Sequence, residues 1–125
     1  LCGFVYTAVN RKLVFIMFLA VDEALRSQGY GSAMLQKISK KYPNKKIIVS
    51  IEPCDNSSPD LKIRKMRKSF YLKNGYQETG YKIKLNGVVQ DIIIKNGEFS
   101  KKEFRSFFAV YSNGAMWPQI WKPAP

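Results

Sequence analysis

The apolar run Leu13–Val21 is unbroken, stops at Asp22-Glu23, and leads through Arg26-Ser-Gln-Gly-Tyr-Gly31 into a stretch patterned as a helix. A run that is apolar at every position suits a strand covered on both faces. It is too short to cross a bilayer as a helix. In Gly29–Lys41, Tyr30, Ala33, Met34, Leu35 and Ile38 fall at helical spacing, with Lys37, Lys40 and Lys41 elsewhere on the surface. Tyr42-Pro43-Asn44 ends that helix, and Lys46–Ile51 reads as a second short buried strand. Two buried strands joined by a helix make a βαβ unit with a right-handed crossover, so the fold class is α/β.

The rest of the chain fits around that unit. Phe4–Val9 is β-rich and turns at Asn10-Arg11-Lys12. Glu52–Pro59 is a loop in which Ser58-Pro59 offers an N-cap and a first helical residue. Leu61–Lys73 follows as a basic helix, with Leu61, Ile63, Met66 and Phe70 as its expected apolar face. Lys62, Arg64, Lys65, Arg67, Lys68 and Lys73 make it cationic, and Asn74-Gly75 stops it. Tyr76–Leu85 and Val88–Ile94 flank Asn86-Gly87, a strong hairpin signal, and Asn96-Gly97 turns again. Ser100-Lys-Lys-Glu103 matches a capping box opening a short helix, with Phe104, Phe107 and Phe108 toward the core and a stop near Asn113-Gly114. The tail Met116–Pro125 reads as irregular, pinned by Trp117 and Trp121. With 125 residues the whole chain, 1–125, is read as one domain.

Composition narrows the chemistry. There is no His, and Cys2 and Cys54 provide neither a disulfide framework nor metal-ligand spacing. A zinc site or a His-activated nucleophile is excluded on that basis, and a reducing, cytoplasmic setting is the expectation. The net charge of +12 fits a solvated basic surface, a polyanionic cofactor or a nucleic acid. The aromatics of the basic helix lie on its apolar face or at Tyr71 rather than interleaved with the charges, which argues against nucleic acid.

A strand-to-helix turn carrying glycines aims several backbone N–H groups and the positive end of a helix dipole at one spot. Arg26–Gly31 is therefore either a cradle for a pyrophosphate or simply a tight turn. The segment lacks the Gly-Lys-Ser/Thr of a P-loop. It also departs from the dinucleotide fingerprint, because residue 34 is Met.

Arg26-x-x-Gly29-x-Gly31, within Phe18–Leu35, resembles the phosphate loop of the GNAT superfamily of acetyl-coenzyme A-dependent N-acetyltransferases. Phe70-Tyr71-Leu-Lys-Asn-Gly75-Tyr76 downstream is similar to that family's Phe-Tyr-x-x-x-Gly-Phe signature. The likeness covers about residues 3–94, the expected cofactor-binding core, leaving 95–125 as a C-terminal helix and tail. It implies a mixed, mostly antiparallel twisted sheet with helices on both faces. It further implies that Leu19, Ala20 and Val21 bind the pantetheine arm through their backbone. Strands Leu13–Val21 and Lys46–Ile51 would splay apart to admit the thioester. The turn Gln28, Gly29, Tyr30, Gly31 and Ser32 would hold the pyrophosphate, with Arg26 and Ser27 shaping it. Tyr71 would protonate the departing thiolate.

The chain departs from the family in three places. The strand before the phosphate loop, Leu13–Val21, where some members carry a Glu, has no acid, so Glu52, at the end of the next strand, becomes the expected general base, with an ordered water as the other choice. Arg64 stands where many members have a cofactor-contacting Asn, and is expected to reach a phosphate or solvent. The strand and helices that usually precede the position of Gly3 are absent, and Leu1 is expected not to be the natural start of the domain. Either the chain is a piece of a longer one or a partner, such as a second copy in a homodimer, completes the fold. The expected activity is acetyl transfer from acetyl-coenzyme A to a primary amine, with no membrane partner. A non-catalytic acyl-coenzyme A sensor on the same fold is the competing reading. The acceptor itself is not named by the sequence.

Overall fold

A computed structural model of the chain describes residues 3–21, 29–55, 57, 60–85, 87–111 and 118–124. The elements run β1 (Gly3–Val9), β2 (Leu13–Val21), α1 (Tyr30–Lys41), β3 (Lys46–Ile51), α2 (Leu61–Lys73), β4 (Gln77–Leu85), β5 (Val88–Lys95), α3 (Lys101–Tyr111) and β6 (Gln119–Trp121). The described strands form one sheet in the order β1-β2-β3-β5-β4-β6, in which β2 and β3 pair in parallel and the other neighbours are antiparallel. The mixed, mostly antiparallel sheet expected from the sequence is therefore present, with the βαβ unit at its centre.

Alternation along the central strands divides the core into two layers. Leu13, Phe15, Ile48, Ile92 and Ile94 face Phe104, Phe107 and Phe108 of α3. Val14, Ile16, Ile47, Val49, Ile51 and Ile93 face Leu35 and Ile38 of α1 and Tyr71 and Tyr76 at the end of α2. Helices thus cover both faces, which explains why β2 and β3 are apolar without alternation. On the α3 side Phe15 makes edge-on ring contacts with Phe104 and Phe108, at centroid distances of 5.3 and 5.5 Å. Such geometry suits the aromatic quadrupole.

Local chemistry sets the ends of these elements. The Ser100 hydroxyl accepts the Glu103 N–H at 3.2 Å, which is half of the expected capping box. The Glu103 carboxylate turns instead to Lys46 at 3.0 Å, tying the start of α3 to the start of β3. Gly87 adopts a φ of 80° in the two-residue turn between Leu85 and Val88, as a hairpin of this length requires.

Three expectations change. The tail is not wholly irregular, because Gln119–Trp121 adds a short strand to the outer edge of β4, with Ile120 buried opposite Ile83. The flanking prolines, Pro118 and Pro123, are tolerated because they sit at the ends of an edge strand. On α2, Ile63 and Met66 are not core but 56% and 64% exposed, and Tyr71 is the buried residue. The helix lies on the sheet through the face carrying Arg64, Lys68 and Tyr71, which charge-based patterning conceals. On α1, Tyr30 and Ala33 are exposed and Gly31, Leu35 and Ile38 carry the burial. The expected caps at Ser58-Pro59 and Asn113-Gly114, and the Trp117 anchor, lie outside the described residues.

Phe104 is fully buried among four aromatic neighbours, whereas Val110 on the same helix is 78% exposed. Replacing Phe104 by Ala is expected to cost about 3–5 kcal/mol. Val110→Ala should stay within about 0.5 kcal/mol. Urea unfolding of the two variants measures the contrast.

Candidate active site

The β2–β3 ladder is short. It pairs Leu13 with Lys46 through Ile16 with Val49 and ends there, although β2 continues to Val21 and β3 to Ile51. Beyond that point each strand keeps its other partner. β2 pairs with β1 as far as Val21–Gly3, and β3 pairs with β5 as far as Ile51–Asp91. The sheet therefore opens between its two parallel strands. A bulge marks the place: Tyr6 pairs with Phe18 and Thr7 with Ile16, which leaves Met17 as the extra residue of β2. An opening of this kind exposes backbone hydrogen-bonding groups of β2 on the side where β3 would have been.

The helix after β2 begins beside this opening with an uncapped end. Gly29 is its N-cap at φ 80°, a conformation that favours glycine, and no side chain caps it. The first helical bond runs from the Ala33 N–H to the Gly29 carbonyl at 3.0 Å. The N–H groups of Tyr30, Gly31 and Ser32 precede it and lack partners within the helix. No acidic residue sits in the first turn to use them. Gly31 is buried, Tyr30 is exposed, and Ser32 is half-buried. Leu19, Ala20 and Val21 are described in their backbone as the end of β2, while Arg26, Ser27 and Gln28 lie outside the described residues.

Tyr71 sits on the last turn of α2, 5% exposed, packed edge-on against Phe70 and Tyr76. Its position follows from the way the helix ends. The Gly75 N–H reaches the Leu72 carbonyl at 3.1 Å and the Tyr76 N–H reaches the Tyr71 carbonyl at 3.2 Å, with Gly75 at φ 91°. This is a Schellman stop, and the Tyr71–Tyr76 ring contact at 5.5 Å is its hydrophobic clasp. Gly75 is favoured by its φ, and a Cβ there would also press on the end of the Lys95 side chain at 3.3 Å. Asn74 adds a link that the sequence did not suggest. Its amide donates to the Phe70 carbonyl at 2.8 Å and to the Ser32 hydroxyl at 3.1 Å, joining the end of α2 to the first turn of α1.

Burial pushes the Tyr71 phenol up to about 12, against an opposing pull from Arg67. Burial also pushes Tyr76 upward, and its hydroxyl has no hydrogen-bond partner among the described residues.

Glu52 and Arg64 are brought together in an unexpected way. Glu52 Oε2 accepts from Arg64 at 3.0 Å and Oε1 from Arg67 at 2.8 Å. Arg64 also reaches Asp60 at 2.7 Å and the Pro53 carbonyl at 3.1 Å. Arg64, expected at a phosphate or in solvent, instead clamps the loop between β3 and α2. Glu52, expected as a base, has both oxygens in ion pairs. Arg67, one of the residues that make α2 cationic, carries a further signal in the sequence, its spacing of four from Tyr71. Among the described residues no group of His, Cys, Asp or Glu could hold a metal ion.

A family model described as an acetyltransferase (GNAT) domain matches residues 1–78. No sequence among the curated proteins matches. Among solved structures, a GNAT-family protein from Bacteroides thetaiotaomicron is similar over 92% of this chain and 68% of its own, at 18% identity and a TM-score of 0.67. A GNAT family acetyltransferase from Elizabethkingia anophelis with acetyl-CoA bound is similar over 77% and 69%, at 20% identity and 0.58. The ribosomal-protein-S18-alanine N-acetyltransferase from Escherichia coli is similar over 81% and 64%, at 17% and 0.53.

The raised phenol of Tyr71 has a consequence for stability. Below pH 10 it is neutral in both folded and unfolded chains. Between pH 10 and about 12 the unfolded chain releases the proton and the folded chain holds it, so stability falls as pH rises through that window. The wild type is expected to lose about 2 kcal/mol more than Tyr71→Phe between pH 10 and 12, the larger part of the roughly 2.7 kcal/mol that two pH units are worth at about 1.4 kcal/mol each. Urea unfolding at stepped pH reads this difference.

Proposed function

Because the chain belongs to the GNAT acetyltransferase family, we propose that it moves the acetyl group of acetyl-coenzyme A directly onto a primary amine. The observation that carries this reading is the opening between β2 and β3 after Ile16–Val49, next to the uncapped first turn of α1. A pantetheine arm laid against the end of β2, along Leu19–Val21, would use backbone groups that β3 leaves unpaired there. The pyrophosphate would lie at the N–H groups of Gly29, Tyr30, Gly31 and Ser32, where the helix dipole favours negative charge. Glycine at 29 has open space around the position of a Cβ, so an anion can approach the backbone closely.

In the reaction the amine nitrogen bonds to the acetyl carbon and the carbon–sulfur bond breaks. The amine's proton leaves to water, and the coenzyme A sulfur takes the proton of the Tyr71 hydroxyl. The buried phenol stays protonated across the neutral pH range, so its proton is in place when the thiolate departs. Glu52 is not needed as the base in this scheme, since both of its oxygens are engaged by arginines. No described helix is long and apolar enough to cross a membrane. The acceptor class follows from neither the fold nor the family.

Titration calorimetry with acetyl-coenzyme A should give micromolar-range binding for the wild type. Gly29→Glu, which brings a carboxylate into the phosphate position, should weaken it by about a hundredfold or more. Gly29→Ala controls for backbone strain and should weaken it less. Binding that persists in Gly29→Glu sinks the pyrophosphate assignment. Thiol release over a panel of amines should fall about tenfold to a thousandfold in Tyr71→Phe. Unchanged release would favour the sensor reading.

A further inference from the structure

Arg67 lies one helical turn before Tyr71 on α2, and at a spacing of four the two side chains share a face. A long cationic side chain with a half-exposed surface would ordinarily sample many rotamers. Here a chain of contacts fixes it. The Glu52 carboxylate accepts from Arg67 with one oxygen and from Arg64 with the other, and Arg64 is held by Asp60 and by the Pro53 carbonyl. Glu52 directly follows the last residue of β3 and stands three residues beyond Val49, where the β2–β3 ladder ends. The guanidinium is thereby tethered at the mouth of the opening, on the side of the helix that carries the phenol.

We infer that Arg67 is a positioning residue for Tyr71, held by Glu52 so that its charge offsets the phenolate formed when Tyr71 gives its proton to the coenzyme A sulfur. The inference rests on the acetyl-transfer reading above. In that step the phenol O–H breaks, an S–H forms on the departing thiolate, and negative charge is left on the phenol oxygen. Water returns the proton afterwards. A phenolate in a desolvated site is costly unless a cation lies near it. Among the described residues, Phe70 and Tyr76 pack edge-on against the Tyr71 ring, and Arg67, paired with Glu52 beyond the end of β3, shares the helix face of Tyr71. Arg64 and Asp60 complete a set of two guanidiniums and two carboxylates. Arg67 is the charged group that acts on the phenol, and it acts against the upward push of burial. On this account Glu52 matters as the anchor of a cation rather than as a base.

The test places a fluorotyrosine at position 71 of the full chain and follows its fluorine chemical shift with pH. The fluorinated phenol is more acidic, which brings ionisation toward the range where the protein is folded. Arg67→Ala is expected to raise the midpoint by about half a pH unit or more. Arg67→Lys, which keeps the charge, should restore most of the shift. An unmoved midpoint in Arg67→Ala overturns the inference, and this readout needs neither cofactor nor acceptor. A kinetic cycle supplies the second arm, with acetyl-coenzyme A and an amine active in the thiol-release panel. Arg67→Ala should lower kcat about three- to tenfold with little change in the acetyl-coenzyme A KM. In a Tyr71→Phe background it should cost nothing further. A loss of the same size in both backgrounds overturns the inference. If Tyr71→Phe alone leaves turnover intact, the general-acid assignment fails instead, and the fluorine titration still decides whether Arg67 acts on the phenol.

Discussion

The pairing of β2 with β3 is the interaction on which the rest of this molecule turns. Among the described residues it is the only parallel contact in the sheet, and it ends at Ile16–Val49 although both strands continue. Below that point the strands share a ladder and bury side chains on both faces. Above it, β1 and β5 hold them in place from outside, so the opening is framed by well-paired strands. A crevice built this way costs hydrogen bonds that a continuous sheet would have made, and those same backbone groups become available to a ligand. The bulge at Met17 concentrates the irregularity in one residue at the branching point.

The two helices on that face act as supports with different tasks. α1 brings an unneutralised N-terminus to the opening, because Gly29 lets the chain turn sharply and no acidic side chain occupies its first turn. α2 brings a phenol, held by ring packing and by the hydrogen-bonding of its own C-terminal stop. Asn74 and Ser32 join the two, so the first turn of α1 and the end of α2 are linked directly by a hydrogen bond. α3 works from the opposite face, where its three phenylalanines press on Phe15 and stiffen the base of β2.

Most of the fold was legible in the sequence because its signals are local. The apolar run of β2, the glycine turn, the Asn86-Gly87 hairpin and the phenylalanine spacing of α3 each name their element with little help from distant residues. The short strand β6 was not legible, because only the open edge of β4 gives Gln119–Trp121 a reason to extend. The buried side of α2 was misread for a related reason. Charged residues normally mark the solvent side, yet here Arg64 and Lys68 lie against the sheet because Glu52, Asp60 and Glu78 meet them there. Of the candidate site, the glycine turn reads from its place between an apolar run and a helix, and Tyr71 reads from the resemblance of Phe70–Tyr76 to the family signature. The arrangement around Glu52 could not, since ion pairs across loops follow from tertiary placement and not from periodicity.

The way α2 ends carries a meaning beyond helix termination. Gly75, Tyr76 and Tyr71 form one closed unit, in which the glycine permits the reversal, the following aromatic folds back, and the phenol is clasped in place. The aromatic–glycine–aromatic pattern Tyr71–Gly75–Tyr76 is then one mechanical part rather than a set of separate roles. Damage at Gly75 would register as a displacement of Tyr71, although a glycine has no side chain to touch it. Residues of this kind escape any search for reactive groups, and they surface only when the reacting group is traced back to whatever aims it.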